Sequence, residues 1–281
     1  MKRPSSPYLD SIIGQEFPCL DRGFVRVIDY MGDQASIVQA ARVSYGEGTK
    51  TPSDDRALIR YMMRMKHNSP FEMCELKLHV KLPIFVARQW IRHRMASVNE
   101  VSARYSILKD EFYIPEVGDI AAQATNNKQG RGEALGSTKA QTAENSIKAH
   151  SGASYDTYTC LLEEIGVARE LSRIVLPTNI YTEWYWKIDL HNLLHFLSLR
   201  MDHHAQMEIR VYASLIGGIV GNWLPGVWDA YRDYRLEAVT FSGPEMEILR
   251  KLLEGVAVNR DPEIGEISKR EWEAFQKALG K

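Results

Sequence analysis

The sequence predicts an α+β protein in which a mixed sheet packs against several helices. Three observations lead to this fold class. Segments that alternate apolar and polar residues, as half-buried strands do, are interspersed with segments of helical periodicity. Hydrophobic residues make up 44% and charged residues 25% of the chain, which is ordinary for a globular protein. Its 281 residues can bury a substantial core without disulfides or metal ions.

In the first third of the chain, strand and helix patterns alternate. Ser53 is predicted to cap a helix whose first turn holds Asp54 and Asp55, and Pro83 suits the first turn of another helix. The predicted elements are a strand at 21–30, a helix around 37–42, a helix at 53–67, a strand at 72–82 and a helix at 83–94.

The rest of the chain is predicted to be mostly helical around one strand. The segment 117–137 is rich in Gly, Asn, Gln and Ala, has no apolar periodicity, and is predicted to be a mobile loop insertion. We predict one catalytic domain over 1–281, with a core at about 20–220 and a C-terminal helical extension. The other predicted elements are helices within 139–175, a strand at 179–188, helices at 191–200 and 204–220, and two helical patterns in the tail 243–281.

Charge and cysteine content exclude several classes of protein. The formal net charge is −1 and the pI about 6.7, so no overall field favours nucleic acid or anionic membranes. The three cysteines form no CxxC pair, so neither a structural zinc site nor a disulfide framework is indicated. The sequence shows no secretory signal and no apolar stretch of membrane-spanning length, which predicts a cytoplasmic protein.

An arginine-rich segment at 88–106 carries the candidate binding residues. Gln89, Arg92 and His93 are spaced to share one face of the predicted helix, and Arg94 falls at its end. A predicted polar loop follows, with Ser97, Asn99, Glu100, Ser102, Arg104 and Tyr105. Guanidinium and hydroxyl groups form charge-assisted hydrogen bonds with phosphates. A solvated basic helix face is the alternative, but the apolar flanks, including Trp90, favour a bound anion.

This segment resembles flavin-dependent thymidylate synthases. RHRMASVNEVSARY (92–105) fits their RHRxxSxxExSxRY signature at every specified position. The resemblance covers about residues 20–220 and leaves 117–137 and 243–281 unmatched. It extends to AARVSYG (40–46), HNSPFE (67–72), RELSRIVLPTNIYTEWYW (169–186) and LRMDHHAQMEIR (199–210).

The resemblance implies a homotetramer whose active sites are shared between subunits and hold FAD beside dUMP. NADPH would reduce the flavin, and methylenetetrahydrofolate would supply the carbon. The implied FAD contacts are Ser69, Arg92, His93, Arg94, Glu100, Asp189, His191 and His195. The implied dUMP contacts are Gln89, Arg92, Glu100, Ser102, Arg104, Arg173 and Arg200, with His204 and Gln206 supporting the site.

Arg200 is the catalytic candidate that the resemblance implies. It would lie against the uracil ring and favour ionisation at N3, because a fixed cation stabilises developing negative charge without reorganising. From the residues alone, an ion pair with Asp202 or Glu208 is the alternative. At Asp189 the family pattern often has Asn, and an ionised carboxylate can accept but not donate a hydrogen bond.

Three other functions are open to the residues alone. His191, His195, His203 and His204 could serve a metal-dependent hydrolase, although HNLLH lacks the glutamate of HExxH. A nucleic-acid-binding module built on the arginine-rich helix is the second, and the balanced charge and the pI of about 6.7 argue against it. A purely structural protein is the third, and it leaves the arginine, glutamate and serine pattern unexplained. No metal is expected. Thiolate chemistry at Cys74 or Cys160 has no local motif, and Ser102 has no neighbouring base in sequence.

Overall fold

A computed structural model describes residues 4–43, 55–125, 129–255 and 268–280. By its internal contacts the chain divides into two compact units, 1–230 and 231–281. The larger unit contains all the strands of the described residues and the candidate site residues. The predicted single-domain organisation stays a prediction.

Seven strands form two antiparallel sheets in the described residues. The main sheet has the order β1-β2-β3-β7-β4, and β5 pairs only with β6. The strands are β1 (Glu16–Cys19), β2 (Gly23–Met31), β3 (Glu75–Pro83), β4 (Ser97–Glu100), β5 (Ala121–Gln123), β6 (Arg131–Ala134) and β7 (Tyr181–Asp189). The α+β class is confirmed, but these strand pairs are antiparallel and not mixed. Alternation along a strand reports which face is buried and carries no information on the direction of its neighbour.

Helices cover one face of the main sheet and continue into the tail. The helices of the larger unit are α1 (Pro7–Ile12), α2 (Gln34–Val43), α3 (Asp55–Met65), α4 (Ile84–Trp90), α5 (Ser137–Thr159), α6 (Arg169–Ser172), α7 (Leu190–Arg200), α8 (Met207–Trp223) and α9 (Pro225–Tyr231), whose last residue opens the smaller unit. Short turns of 3-10 helix occur at Ser69–Met73, Val117–Asp119 and Arg173–Val175, and π-helical turns at Cys160–Glu164 and Arg232–Leu236.

The smaller unit confirms the two helical patterns predicted for the tail. Its helices are α10 (Gly243–Leu253) and α11 (Lys269–Ala278), and each begins with a capping box. Ile248 and Phe275 form a buried hydrophobic cluster in it, with Trp272 and Phe241 packed against them. Among the described residues of the whole chain, no helix is both long and apolar enough to cross a membrane.

A buried aromatic cluster ties α4, α7 and α8 to the sheet. Trp90 is fully buried and its ring lies 4.8 Å from that of Phe196 on α7. It also meets Trp184 and Trp186 of β7 edge-on, and Tyr212 of α8. Rings in such edge and offset contacts add to the hydrophobic gain of burial, so the end of α4 is held firmly against α7.

Most predicted elements are confirmed, with three differences around the arginine-rich segment and the insertion. The helix predicted over 83–94 is α4 and ends at Trp90, with Pro83 as its N-cap, so Gln89, Arg92 and His93 do not share a helix face. The polar loop predicted after Arg94 begins as an edge strand, β4, on β7. In the insertion 117–137, β5 and β6 form a hairpin where a loop was predicted. The predicted cap at Ser53, with Asp54, lies outside the described residues.

Candidate active site

A cavity of about 330 Å³ lies at the C-terminal end of β7, between α7 and the loop after α4. We call it the histidine cavity. It brings together five of the residues that the sequence indicated: Arg92, His93, Arg94, His195 and Arg200. No carboxylate is among its lining residues, which are Arg92, His93, Arg94, Met95, Ile188, Asn192, His195, Leu199 and Arg200.

The aromatic cluster sets the position of His93 in this cavity. Trp90 ends α4, and its carbonyl oxygen accepts a hydrogen bond from the His93 backbone N–H at 3.0 Å. The His93 ring then meets the buried Phe196 ring edge-on, with centroids 4.9 Å apart. Because Trp90 and Phe196 stack on each other, His93, which follows α4, and Arg200, which ends α7, lie together at the cavity.

Arg200, the last residue of α7, meets the segment around α4 through two hydrogen bonds. Its Nε donates to Nε2 of His93 at 3.0 Å, and its Nη2 donates to the carbonyl oxygen of Gln89 at 3.4 Å. The Gln89 side-chain amide in turn donates to Oε1 of Gln206, just before α8. The catalytic and uracil-binding candidates therefore form one connected network.

The two acids that could neutralise Arg200 are paired elsewhere. Oδ1 of Asp202 lies 2.8 Å from Nδ1 of His204 and 3.7 Å from Nδ1 of His203. Glu208 is buried and pairs with Arg131 of β6. The ion pair considered as the alternative for Arg200 is therefore absent from the described part of the chain. The half-buried guanidinium of Arg200 lies beside the cavity without a carboxylate partner there.

This environment shifts the protonation equilibria of both groups towards the neutral form. Burial, together with the positive charges of Arg200 and His195, lowers the pKa of His93 from 6.5 to about 4. His93 is therefore neutral near pH 7. Burial also lowers the pKa of Arg200, although a guanidinium stays protonated at physiological pH.

Asp189 and His191 do not line the histidine cavity, and the structure gives Asp189 another role. As N-cap of α7, Asp189 accepts from the backbone N–H of Asn192 at 2.9 Å and from its side-chain amide at 2.7 Å. Asn192 does line the cavity. Asn192 was not among the predicted site residues. Its position three residues after an Asp at the start of a helix does indicate a capping contact with that Asp.

A second cavity, of about 390 Å³, lies at the N-terminal end of β7. We call it the serine cavity. It gathers three further substrate candidates, Glu100, Ser102 and Arg173, whereas Arg104 lies next to the lining residue Ala103 in sequence and is not itself in the lining. Oγ1 of Thr182 donates to Glu100 at 2.7 Å. Its lining residues are Ile84, Glu100, Val101, Ser102, Ala103, Leu108, Arg173, Leu176, Pro177, Thr178, Ile180 and Thr182.

The arginines at the serine cavity already contact the chain itself. Nη2 of Arg104 lies 3.1 Å from Oε2 of Glu170, and both side chains are more than half exposed. Nε of Arg173 donates to the Glu170 carbonyl oxygen at 3.3 Å. The Ser102 hydroxyl accepts from the backbone N–H of Arg104 at 3.3 Å. These exposed contacts are weak and can be exchanged for a ligand at little cost.

The remaining candidates lie outside both cavities. Ser69 is exposed in the 3-10 turn that precedes β3. The metal hypothesis placed four histidines together, but His191 and His195 belong to no ligand cluster in the described residues. The group there with metal-like spacing is Asp202, His203 and His204, all exposed. Exposed clusters of this kind are common without an ion.

The cysteines also lie away from both cavities. Burial raises the pKa of Cys19 and of Cys74 to about 12, so neither is a thiolate near neutral pH. A hydrogen bond to Glu164 raises the pKa of Cys160. These surroundings disfavour a cysteine nucleophile.

The sequence matches the model of one protein family over residues 26–226, the family described as "Thymidylate synthase complementing protein". It is 56% identical to a flavin-dependent thymidylate synthase of Ruegeria pomeroyi, with 100% of this chain and 93% of the relative aligned. It is 54% identical to one of Ehrlichia ruminantium, over 99% of this chain and 93% of the relative.

Solved structures show a similar fold. A UMP/dUMP methylase, PolB from Streptomyces cacaoi, bound with 5-Br dUMP, superposes with a TM-score of 0.70 at 29% identity. The match covers 78% of this chain and 99% of that one. The same methylase bound with 5-Br UMP gives a TM-score of 0.69 at 31% identity, covering 76% of this chain and 95% of that one.

Proposed function

The chain belongs to the family of flavin-dependent thymidylate synthases, and we propose that each of its active sites combines the histidine cavity of one protomer with the serine cavity of another. As a member of this family it is a methyltransferase that converts dUMP to dTMP with FAD as its flavin. The proposal concerns the residues that do this, the assembly and the other substrates. We also place the reaction in the cytoplasm.

The observation that carries the proposal is the separation of the two cavities along β7. The histidine cavity includes Ile188 and the serine cavity includes Thr182, and the two cavities share no residue. Positions 182 and 188 are 188 − 182 = 6 residues apart on one strand, which corresponds to about 20 Å. This separation supports a site in which one protomer supplies Arg200 and another supplies Arg173.

Exposed apolar side chains around both cavities support such an assembly. Met95 and Leu199, beside the histidine cavity, are 69% and 48% exposed. Ile174 and Tyr105, near the serine cavity, are 76% and 75% exposed. A contact with another protomer would remove these apolar side chains from water, which is favourable. We propose a homotetramer, in which symmetry repeats the same pairing of cavities.

The histidine cavity fits the flavin by its charge and donors. It has no carboxylate and presents the exposed guanidinium groups of Arg92 and Arg94, which suit the pyrophosphate of FAD. Asn192 is held by Asp189 and keeps one amide N–H free, so it can donate where the acid cannot. We assign His195 to the same ligand. FAD, when bound, supplies the hydride, and we propose NADPH as its reductant.

The protein's own groups bind dUMP and polarise its ring. Arg173 and Ser102 of the serine cavity bind the phosphate, with Arg104 beside them. Arg200 and Gln89 of the other protomer hold the uracil. Because Arg200 has no acidic partner in the described chain, its charge is available to stabilise negative charge at N3 and make C5 nucleophilic. C5 then attacks the methylene carbon of methylenetetrahydrofolate as one of its two C–N bonds breaks, and C5 loses its proton. Breaking of the second C–N bond releases tetrahydrofolate, and the hydride that reduced FAD would supply completes the methyl group.

Tritium release from C5-labelled dUMP tests this function. With methylenetetrahydrofolate and NADPH present, we expect release that depends on FAD and on NADPH. Release from the flavin-loaded protein without methylenetetrahydrofolate, or no release with every component present, would contradict the proposed chemistry. Omitting each component in turn is the control.

A further inference from the structure

We propose that His93 is a positioning residue for Arg200, in addition to any contact it makes with a ligand. Nε2 of His93 is the acceptor for the Arg200 Nε–H at 3.0 Å, and this bond fixes the plane of the guanidinium group. The inference rests on the proposed role of Arg200 in polarising uracil. It adds that the hydrogen bond from Arg200 to His93 orients the guanidinium group before the substrate binds.

The contacts of His93 make it a rigid acceptor. Its backbone N–H is bonded to the carbonyl of Trp90, which is fully buried, and its ring lies against Phe196. The second bond of Arg200, to the main-chain oxygen of Gln89, comes from the same segment of chain. Both acceptors are therefore anchored by the aromatic cluster, and the two guanidinium nitrogens that bond them leave further N–H groups for the substrate.

The bond requires a neutral imidazole, and the surroundings of His93 keep it neutral. Burial opposes a proton on the ring, and so do Arg200 and His195, which face it from α7. Arg92 and Arg94 flank it on its own loop, and no carboxylate lines the cavity. With a pKa of about 4, His93 offers an unprotonated Nε2 throughout the physiological range. The proton then resides on Nδ1.

Loss of the His93 acceptor is expected to lower the catalytic rate constant. A guanidinium that must find its orientation during the reaction loses the advantage of preorganisation. A hydrogen bond to a charged group contributes enough that its loss reduces the rate constant by roughly tenfold to a hundredfold. Ground-state binding of dUMP changes less, because the phosphate is bound from the serine cavity.

We would compare His93→Met with His93→Gln at saturating FAD over a range of dUMP concentrations. Gln carries an amide oxygen acceptor near the position of Nε2, Met carries only a weakly accepting thioether sulfur, and both are of similar length. We expect kcat to fall tenfold or more in His93→Met, with a much smaller change in KM for dUMP, and to recover largely in His93→Gln. His150→Met, on the exposed surface of α5, is the control and keeps the normal kcat.

A spectroscopic measurement separates positioning from flavin binding. The N3 ionisation of bound 5-fluoro-dUMP is followed by ultraviolet difference spectra against pH. We expect its pKa to be higher in His93→Met than in the unaltered protein, and close to normal in His93→Gln. A kcat defect in His93→Met that excess FAD abolishes would overturn the inference, because His93 would then act only through flavin affinity.

A double-mutant cycle shows whether His93 acts through Arg200. Arg200→Lys removes the Nε donor, so we expect His93→Met to cost at most threefold in kcat in that background. An equal cost in both backgrounds would overturn the inference while leaving the proposed function intact. If Arg200→Lys and Arg200→Ala both turn over normally, the proposed role of Arg200 itself fails.

Discussion

The histidine cavity and the serine cavity lie at opposite ends of β7 and are built differently. In the histidine cavity, Arg200 bonds to neutral acceptors that a buried aromatic cluster holds in place, and it has no acidic partner in the described chain. At the serine cavity, Arg104 pairs with the carboxylate of Glu170 and Arg173 bonds to its main chain, both on the surface. The contrast lies in the arginines: Arg200 is half-buried and bonded to neutral acceptors, whereas Arg104 and Arg173 are exposed and already have partners in the chain.

The two cavities therefore suit two different tasks: Arg200 in the histidine cavity polarises the uracil ring, and the serine cavity binds the phosphate. A cation that must stabilise charge in a transition state gains from a fixed, partly dry position. A group that binds a phosphate can begin in a weak surface contact and exchange it when the ligand arrives, since exposed ion pairs contribute about 0–1 kcal/mol. We therefore expect substitutions in the histidine cavity to change kcat and those in the serine cavity to change KM.

The largest effect is expected for Arg200→Ala. Loss of a preorganised electrostatic group typically reduces kcat by about 10²–10³-fold, and we expect at least this loss with normal FAD content. Steady-state kinetics, with circular dichroism and gel filtration as controls for folding and assembly, provide the measurement. Near-normal turnover would remove Arg200 from the mechanism and erase the contrast between the cavities.

A smaller effect of a different kind is expected for Arg173→Ala. It removes one charge-assisted contact to the phosphate, so KM for dUMP should rise roughly tenfold to a hundredfold while kcat changes little. The matched comparison uses deoxyuridine, which lacks the phosphate. Arg173→Ala should leave turnover of deoxyuridine almost unchanged, and an equal loss with both substrates would show that Arg173 does not bind the phosphate.

The smallest effect is on stability against pH. The pKa of His93 is about 4 in the folded protein, below its ordinary value of 6.5. Between these values the unfolded chain binds a proton at this position and the folded chain does not, so this contribution to stability is complete above about pH 6.5 and is lost as the pH falls towards 4. Denaturant titrations from pH 7.5 to 4.5 should show a steeper decline for the unaltered protein than for His93→Gln. Parallel declines would mean that His93 is not held neutral.

Much of this arrangement could be predicted from the sequence, because strand alternation, helix periodicity and the signature each lie within one continuous segment. The alternation in β3 and β7 and the periodicity of α7 and α8 survive in the structure. The 14-residue signature also located residues of both cavities.

The features that could not be predicted from the sequence are those that depend on tertiary contacts. No Gly or Pro marks the end of α4 at Trp90, whose packing against Phe196 and β7 determines where the chain turns. The strand β4 is short and polar, because it is an edge strand, and has no apolar alternation to detect. The hairpin in the insertion is held from outside by the pair of Arg131 with buried Glu208, which no local pattern announces.

The most direct test of the shared active site is complementation between two variants that are impaired in different ways. Arg200→Ala and Arg173→Ala protomers with different affinity tags are co-expressed, and mixed assemblies are purified through both tags. If the two arginines of one site come from different protomers, random mixing restores about a quarter of the sites, and turnover at dUMP concentrations limiting for Arg173→Ala rises well above that of either variant alone. Mixed assemblies no more active than the parents would place both arginines in one protomer and contradict the account.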